Sequence, residues 1–202
     1  MGLVKKARAA QRVGIFGGTF DPVHCGHLIA AEEIREKLGL DRIVFVTSAN
    51  PPHKKGRRLA PARHRHEMVK LAIKVNRRFE FSDAEMKRRG YSYTIDTVAH
   101  FKHMLGESAT IYFVVGSDAV EDLSKWKEID KLLAMCAFVV LRRPGFFPRI
   151  GGKLRKKVAV VRIHGIDISS TEIKKKIAGG KSIKHLVPYQ VERYIYDKKL
   201  YR

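Results

Sequence analysis

The segment from Val13 to His27 constrains the fold of this chain more than any other stretch. Val13-Gly-Ile-Phe-Gly17 is a short apolar run typical of a buried strand, and Gly17-Gly18 ends it in a turn. A helical pattern follows from about Gly26 to Leu38, with apolar residues at helical spacing and Gly39 as its stop. The sequence therefore predicts a strand, a glycine turn and a helix in immediate succession.

Strands and helices alternate along the rest of the chain. The patterns predict further strands at 42–47, 79–82, 110–115, 137–141 and 158–161, and helices at 61–75, 94–105 and 128–133. Apolar runs without polar alternation, separated by helices, indicate a parallel sheet that is covered on both faces. We therefore predict an α/β fold, a Rossmann-like doubly wound parallel sheet with helices on both faces and a small helical C-terminal part. Ligands of such sheets bind at the carboxyl ends of the strands.

The chain shows no internal repeat and no Gly/Ser/Pro linker, so we expect residues 1–202 to form one domain. Residues 1–11 form a basic N-terminal extension, and residues 144–157, rich in Gly, Pro and basic side chains, are predicted to be an exposed, mobile loop. Because no apolar run of about 18 residues and no secretory signal occur, we expect a cytoplasmic protein without a membrane partner. Cys25 and Cys136 form neither a disulfide framework nor a Cys-x-x-Cys metal site, which fits a reducing compartment.

The charge of the chain leaves two classes of partner open. Its 41 Lys and Arg against 20 Asp and Glu give a net charge of +21, which attracts nucleic acids and small anionic substrates alike. Basic residues are not confined to a tail, and no RNP-like aromatic motif or zinc finger occurs. We therefore expect no specific nucleic-acid partner, with a basic nucleic-acid-binding protein as the alternative from a different functional class. The sequence leaves the oligomeric state open, a homo-oligomer included.

The turn after the first strand carries the residues that point to chemistry. Gly17-Gly18 lets backbone N–H groups approach an anion, and the following helix N-terminus adds free amides and a partial positive charge. His24 and His27, three residues apart at the helix start, can lie on one face and donate together to phosphate oxygens. A metal site is the alternative, but no third His, Cys-x-x-Cys or H-E-x-x-H lies nearby, so we assign no metal ligand. A second H-x-x-H pair, His100 and His103, lies within a predicted helix and is interpreted as a solvated face.

The string from Gly17 to His27, Gly-Gly-Thr-Phe-Asp-Pro-x-His-x-Gly-His, closely resembles the signature of the nucleotidylyltransferase superfamily, whose two histidines contact the phosphates of ATP. Within that superfamily, the chain resembles the bacterial nicotinate mononucleotide adenylyltransferases over nearly its whole length. The other segments that carry this resemblance are Pro52-His53-Lys54, Ser92-Tyr-Thr-Ile-Asp-Thr97, Gly116-Ser117-Asp118, Trp126, Arg142-Arg143-Pro144-Gly145, Ile168-Ser169-Ser170-Thr171 and Leu200-Tyr201-Arg202. The resemblance implies transfer of the adenylyl group of ATP to nicotinate mononucleotide in NAD biosynthesis, giving nicotinic acid adenine dinucleotide and pyrophosphate.

The resemblance assigns one group of residues to catalysis and to ATP. It implies catalytic roles for His24, His27 and Lys54, and a solvated lysine is the alternative for Lys54. The ATP-binding residues that it implies are Gly17, Gly18, Thr19, Phe20, Asp118, Arg143, Ile168, Ser169, Ser170, Thr171 and Lys174. Residues 169–172 also fit a capping box, and for Asp118 a helix N-cap is the alternative. Lys174 replaces the arginine usual in the family, and Lys175 or Lys176 are alternatives for its role.

A second group of residues is implied to bind nicotinate mononucleotide. Its members are Thr19, Asn50, Lys54, Tyr93, Thr94, Trp126 and Lys127. An aromatic plane such as that of Trp126, the only tryptophan, suits a pyridinium ring through stacking and cation–π attraction, and a core position is the alternative. The resemblance implies that backbone amides at Tyr93-Thr94 and at Lys127 bind the nicotinate carboxylate. Free N–H groups favour a carboxylate over a neutral carboxamide, and hence nicotinate over nicotinamide.

The implied reaction needs no general base from the protein. The attacking 5′-phosphate is already an anion, which fits the lack of a Ser/His/Asp or Cys/His constellation near the motifs. Catalysis then consists of aligning two phosphates and stabilising the charge that develops. Mg²⁺ is expected to arrive on ATP with few or no protein ligands. The alternative within the superfamily is adenylyl or cytidylyl transfer to another phosphate, such as phosphopantetheine or glycerol phosphate, against which Trp126 and the Ser-Tyr-Thr segment argue.

Overall fold

A computed structural model of the chain describes residues 10–56, 58–116, 123–142, 150–164 and 166–202. Its strands are β1 (Arg12–Gly18), β2 (Arg42–Thr47), β3 (Phe79–Ser82), β4 (Thr110–Gly116), β5 (Ala137–Arg142) and β6 (Val158–Arg162). Its helices are α1 (Cys25–Lys37), α2 (Ala62–Ile73), α3 (Ala84–Lys87), α4 (Thr94–Leu105), α5 (Ile129–Met135), α6 (Ser170–Ala178) and α7 (Tyr189–Asp197). Short 3₁₀ helices cover Pro52–Lys54, Leu123–Lys125 and Gly152–Lys156.

The six strands form one parallel sheet in the order β3-β2-β1-β4-β5-β6. The chain leaves β1 toward one edge through β2 and β3, and it returns to the other side of β1 with β4. This reversal creates a crevice beyond the carboxyl ends of β1 and β4, which is where open α/β sheets bind their ligands. The predicted doubly wound parallel sheet is confirmed.

Both faces of the sheet are covered, because successive strand residues point to opposite sides. In β2, Ile43 and Phe45 join a core cluster with residues of α1, α2, α6 and α7, whereas Val44 and Val46 join a second cluster with residues of α4 and α5. All four side chains are at most 4% exposed. Burial on both faces explains why the central strands β1, β2, β4 and β5 contain continuous apolar runs rather than alternating ones.

Helix α1 ends where the sequence predicts. Gly39 has φ of +57°, a left-handed conformation that glycine adopts without strain, and its N–H donates to the carbonyl of Glu36 at 3.1 Å. The N–H of Leu40 donates to the carbonyl of Arg35 at 2.8 Å, which completes the end of the helix. The chain then turns directly into β2, so that α1 packs close beside the strands it connects.

The structure adds details that the patterns did not predict. Helix α3 was not predicted, because four residues are too few to show a helical period. Within the segment predicted as a loop at 144–157, residues 150–157 are described and contain the 3₁₀ helix Gly152–Lys156.

Cys25 and Cys136 are free thiols, and burial raises the pKa of Cys136 to about 12. Within the described ranges, no helix has both the length and the apolar character needed to cross a membrane.

Candidate functional site

The candidate site begins where β1 ends, in the loop that leads to α1. A side chain at Gly18 would place its Cβ 2.7 Å from the ring of Phe20, and one at Gly17 would lie 2.9 Å from the ring of Phe113. Phe20 itself has φ of +49° and is 3% exposed, so that its ring lies in the core beneath the turn. The glycines are thus needed for packing as well as for access to an anion, and a contact between Phe20 and ATP would be made by its backbone.

The two histidines of the motif meet at the start of α1. His24 is the N-cap residue and is 2% exposed, and its ring centroid lies 3.7 Å from that of His27. The backbone N–H of His24 donates to Nδ1 of His27 at 3.2 Å. In neutral His27 the ring proton is therefore on Nε2, which makes Nε2 a donor. The predicted placement of both rings on one face of the helix start is confirmed.

Aromatic side chains hold His27 in this orientation. The ring of Phe20 approaches it edge-on at a centroid distance of 5.1 Å, and the ring of Phe16 does so at 6.3 Å. Phe20 also packs against Phe16 and Phe45, whose side chains belong to the core. Because these rings are buried, the imidazole rests on a rigid support rather than on a mobile loop.

Asp21 is the polar centre of the loop between β1 and α1. Its carboxylate is 4% exposed and accepts hydrogen bonds from Lys174 at 2.9 Å, from the Tyr201 hydroxyl at 2.8 Å and from the backbone N–H of Ala60 at 3.2 Å. Burial and the charge of Asp21 raise the pKa of Tyr201, so its hydroxyl stays a donor. The sequence patterns did not single out Asp21 or a role for Tyr201.

The N-terminus of α6 is joined to the same loop. Ser169 caps α6, and its hydroxyl accepts from the N–H of Glu172 at 3.1 Å, so that the predicted N-cap is confirmed. The Ser170 hydroxyl donates to the carbonyl of Pro22 at 2.9 Å. Ile168 is 6% exposed and packs in the core, whereas Thr171 is exposed. The segment predicted to bind ATP phosphates thus lies beside the loop that carries the histidines.

Lys174 points into this junction, where its ammonium is paired with Asp21. The ammonium also lies 6.0 Å from the centre of the Tyr201 ring. The side chain keeps 30% of its surface exposed, so that one side of it remains accessible to a ligand. Its role as a phosphate ligand stays a prediction.

A second group of predicted residues meets between the carboxyl end of β2 and the N-terminus of α4. Asn50 donates from its backbone N–H to the hydroxyl of Ser92 at 3.1 Å, and its carbonyl accepts from the N–H of Ser92 at 3.0 Å. These bonds hold the loop after β2 beside the start of α4. The same loop leads on to Lys54, which is half-buried. Asn50 is thereby placed beside Tyr93, the N-cap residue of α4, and Thr94, its first residue.

Trp126 and Lys127 complete this second group. The ammonium of Lys127 lies 4.7 Å from the centre of the Tyr93 ring. Trp126 is half-buried, and its ring meets Phe113 and Phe138 edge-on at centroid distances of 6.4 and 5.7 Å. Trp126 therefore packs against the core while part of its surface stays accessible, and its role in stacking on a pyridinium ring stays a prediction.

Asp118 and Arg143 lie outside the described residues. Among the residues that the structure does describe, no three His, Cys, Asp or Glu side chains are arranged to hold a metal ion. Asp21, the carboxylate of the histidine loop, is already bound to Lys174 and Tyr201. The side-chain chemistry here suits an anionic ligand better than a bare cation.

Arg65, which the patterns also missed, is buried beneath both groups. It is 2% exposed and lies on the apolar face of α2, together with Met68, Val69 and Ala72. Its guanidinium donates to the carbonyl of Thr19, at the histidine loop, and to carbonyls of the loop after β2. An arginine within an apolar stripe at i, i+3, i+4 and i+7 is the signal by which the sequence alone could have revealed it.

Known proteins share both the sequence and the fold of this chain. The family model of cytidylyltransferase-like proteins matches residues 15–176. A protein of Thermoanaerobacter sp. named probable nicotinate-nucleotide adenylyltransferase is 45% identical, with 95% of this chain and 94% of the relative covered. A protein of Moorella thermoacetica with the same name is 41% identical, with 95% and 92% covered.

The solved structures agree with the described sheet. The nicotinic acid mononucleotide adenylyltransferase of Plasmodium falciparum, complexed with NaAD, superimposes with a TM-score of 0.78 at 24% identity, over 95% of this chain and 97% of that one. At this identity the likeness shows the fold, and the relatives with higher identity show the family. The chain belongs to the cytidylyltransferase-like family and, within it, to the nicotinate-nucleotide adenylyltransferases.

Proposed function

We propose that this protein transfers the adenylyl group of ATP to nicotinate mononucleotide and releases pyrophosphate. The observation that carries the proposal is the meeting of His24 and His27, 3.7 Å apart between ring centroids, at the N-terminus of the helix that follows β1. A helix N-terminus and two imidazoles form a site for phosphate oxygens. The names and the 41–45% identity of the relatives support the same substrates.

In the proposed reaction, an oxygen of the 5′-phosphate of nicotinate mononucleotide attacks the α-phosphorus of ATP. A new P–O bond forms, the bond from the α-phosphorus to the bridging oxygen breaks, and its electron pair leaves with pyrophosphate. Because the nucleophile is already ionised, no side chain has to remove a proton. ATP enters as its Mg²⁺ complex, with the metal held by the phosphates.

The residues of the histidine loop bind the charge that develops. His24 and the Nε2 donor of His27 bind phosphate oxygens, and the amides at the start of α1 add their partial positive charge. Lys54 and Lys174 supply cations on either side of the triphosphate. Asp118 and Arg143 are proposed as further ATP-binding residues on the strength of the sequence resemblance.

The cluster around α4 holds nicotinate mononucleotide. The amides of Thr94 and Lys127 and the ammonium of Lys127 favour the carboxylate of nicotinate, because a charged acceptor gains more from these donors than a carboxamide does. The accessible part of Trp126 stacks on the pyridinium ring. In the proposed binding mode, the substrate phosphate lies toward Asn50 and Lys54, on the side of the histidine loop.

The direct test measures pyrophosphate release from ATP with a panel of acceptors. We expect the highest kcat/KM with nicotinate mononucleotide, exceeding that with nicotinamide mononucleotide by about tenfold or more, since hydrogen bonds to a charged group are worth about 1.5–3 kcal/mol. Phosphopantetheine and glycerol phosphate, the latter also with CTP, serve as control acceptors. A higher kcat/KM with either control, or no pyrophosphate with any acceptor, would contradict the proposal.

Trp126 offers a test of the acceptor site alone. Because Trp126 is the only tryptophan, we expect nicotinate mononucleotide to quench the protein fluorescence and ATP to leave it nearly unchanged. Trp126→Leu should raise the KM for nicotinate mononucleotide about 3- to 10-fold, the equivalent of an aromatic stacking interaction, with the KM for ATP unchanged. Trp126→Phe keeps an aromatic face and is the matched control, with an expected change below about twofold. An equal rise of both KM values in Trp126→Leu would instead indicate a purely structural role.

A further inference from the structure

Arg65 is a buried cation whose hydrogen-bond partners are main-chain carbonyls. Its Nε donates to Ala60 at 2.9 Å, Nη1 donates to Thr19 at 2.8 Å and to Ser48 at 2.6 Å, and Nη2 donates to Ala49 at 3.0 Å. The residue is 2% exposed. A single guanidinium thus binds three separate segments of backbone.

These segments belong to the two halves of the candidate site. Thr19 lies in the loop that joins β1 to the histidines, whereas Ser48 and Ala49 lie in the loop that leads from β2 to Lys54. Ala60 precedes α2, and its own N–H donates to Asp21. Arg65 therefore connects the proposed ATP loop to the proposed acceptor loop.

The bonds to Arg65 also determine where the neighbouring amides point. In a trans peptide the carbonyl and the following N–H point in opposite directions. Because the carbonyls of Thr19 and Ala49 face Arg65, the N–H groups of Phe20 and Asn50 face away from it. The N–H of Asn50 meets Ser92 in this direction, and the N–H of Phe20 is the group by which that residue would contact ATP.

No other side chain would serve here equally well. Arginine carries five donors in a planar fork, which can bind several carbonyls at once, whereas lysine offers a single ammonium on a flexible stem. Burial lowers the pKa of Arg65, and the negative charges of Asp21 and Glu85 oppose that shift. The structure thus keeps a costly buried charge at a position that touches both loops.

We propose that Arg65 is a positioning residue for adenylyl transfer. By holding the carbonyls of Thr19, Ser48 and Ala49, it sets the spacing between the two loops and hence the alignment of the two phosphates. It touches neither substrate, so that its contribution is to the reacting geometry and not to the binding of either substrate. The kinetic part of this inference rests on the function proposed above.

The test compares Arg65→Lys, which keeps the charge, with Arg63→Lys on the exposed side of α2. Both variants are assayed at a temperature at which circular dichroism shows them folded. In Arg65→Lys we expect the single-turnover rate of pyrophosphate release to fall about 100-fold, since a misplacement of about 1 Å can cost that factor, with both KM values within about threefold. Amide hydrogen exchange should rise in residues 17–24 and 48–56 together and remain unchanged in β4 and β5. Arg63→Lys should match the wild type in every measurement.

Three other outcomes of this test would contradict the proposal. A wild-type rate in folded Arg65→Lys, failure of this variant to fold, or a uniform rise of hydrogen exchange over the whole chain would make Arg65 a general stabilising residue. Failure of the proposed function is distinguishable from these outcomes, because the wild type would then release no pyrophosphate. The exchange measurement would still report whether Arg65 holds the two loops together.

Discussion

His24→Ala and His27→Ala are each expected to lower kcat by about 10²–10³-fold while the protein stays folded, because each removes a preorganised donor to the charge that develops on the phosphates. The two rings lie 3.7 Å apart between centroids and share one helix start, so their contributions are not independent. We therefore expect the double variant to lose less than the product of the single effects. The measurement is steady-state pyrophosphate release, with circular dichroism and thermal unfolding to establish that the fold survives.

The second H-x-x-H pair of the chain supplies a matched control. His100 and His103 have the same spacing, but both are exposed on α4. Alanine at either position should leave kcat within about twofold of the wild type, because surface substitutions away from special features change little. Turnover close to the wild type in both His24→Ala and His27→Ala would overturn the assignment of these residues to the phosphates.

Asp21→Ala is expected to lower the free energy of unfolding by about 3 kcal/mol, because it removes the shared acceptor of Lys174, Tyr201 and Ala60. Lys174 recovers part of its hydration, since 30% of its side chain is exposed, which keeps the loss below the sum of three separate bonds. For a chain of this length such a loss corresponds to a fall in Tm of about 6–12 °C. The loop that carries the histidines loses its anchor at the same time, so kcat should fall by about 100-fold. Thermal unfolding and steady-state kinetics measure the two effects.

Two further variants show how much of this loss of stability comes from the Tyr201 hydroxyl and how much an exposed ion pair would cost. Tyr201→Phe removes one hydroxyl and leaves the pair of Asp21 and Lys174, so we expect a smaller loss, about 1–2 kcal/mol. Asp130→Ala breaks the exposed pair of Asp130 with Lys157 and should cost less than about 1 kcal/mol. Equal stability of Asp21→Ala and Asp130→Ala would show that the buried carboxylate does not hold the loop in place.

The fold could be predicted from the sequence because its signals are local. Each strand except the short β3 contains a continuous apolar run, each long helix has a visible period, and their alternation restricts the chain to a parallel sheet. The boundaries of the predicted helices agree with the observed ones within two residues. The histidine pair was also predictable, because residues three apart at a helix start must share one face.

The supporting contacts could not be predicted because they join distant parts of the chain. Asp21 meets Lys174 across 153 residues, and Arg65 meets Thr19 across 46. No periodicity encodes such a pairing, since the sequence pattern around one partner carries no sign of the other. Arg65 was missed although it lies on the apolar side of α2, and its carbonyl partners became apparent only from the folded backbone.

The bond between Tyr201 and Asp21 has a consequence for how folding of this protein is followed. It joins residues 180 apart, a wider separation than any strand pairing of the sheet spans, and closing a loop of that length costs conformational entropy. A molecule can therefore possess all six strands, and give a native far-ultraviolet spectrum, before the segment after α7 has docked. Recovery of turnover, rather than recovery of secondary structure, is the criterion of a completely refolded molecule.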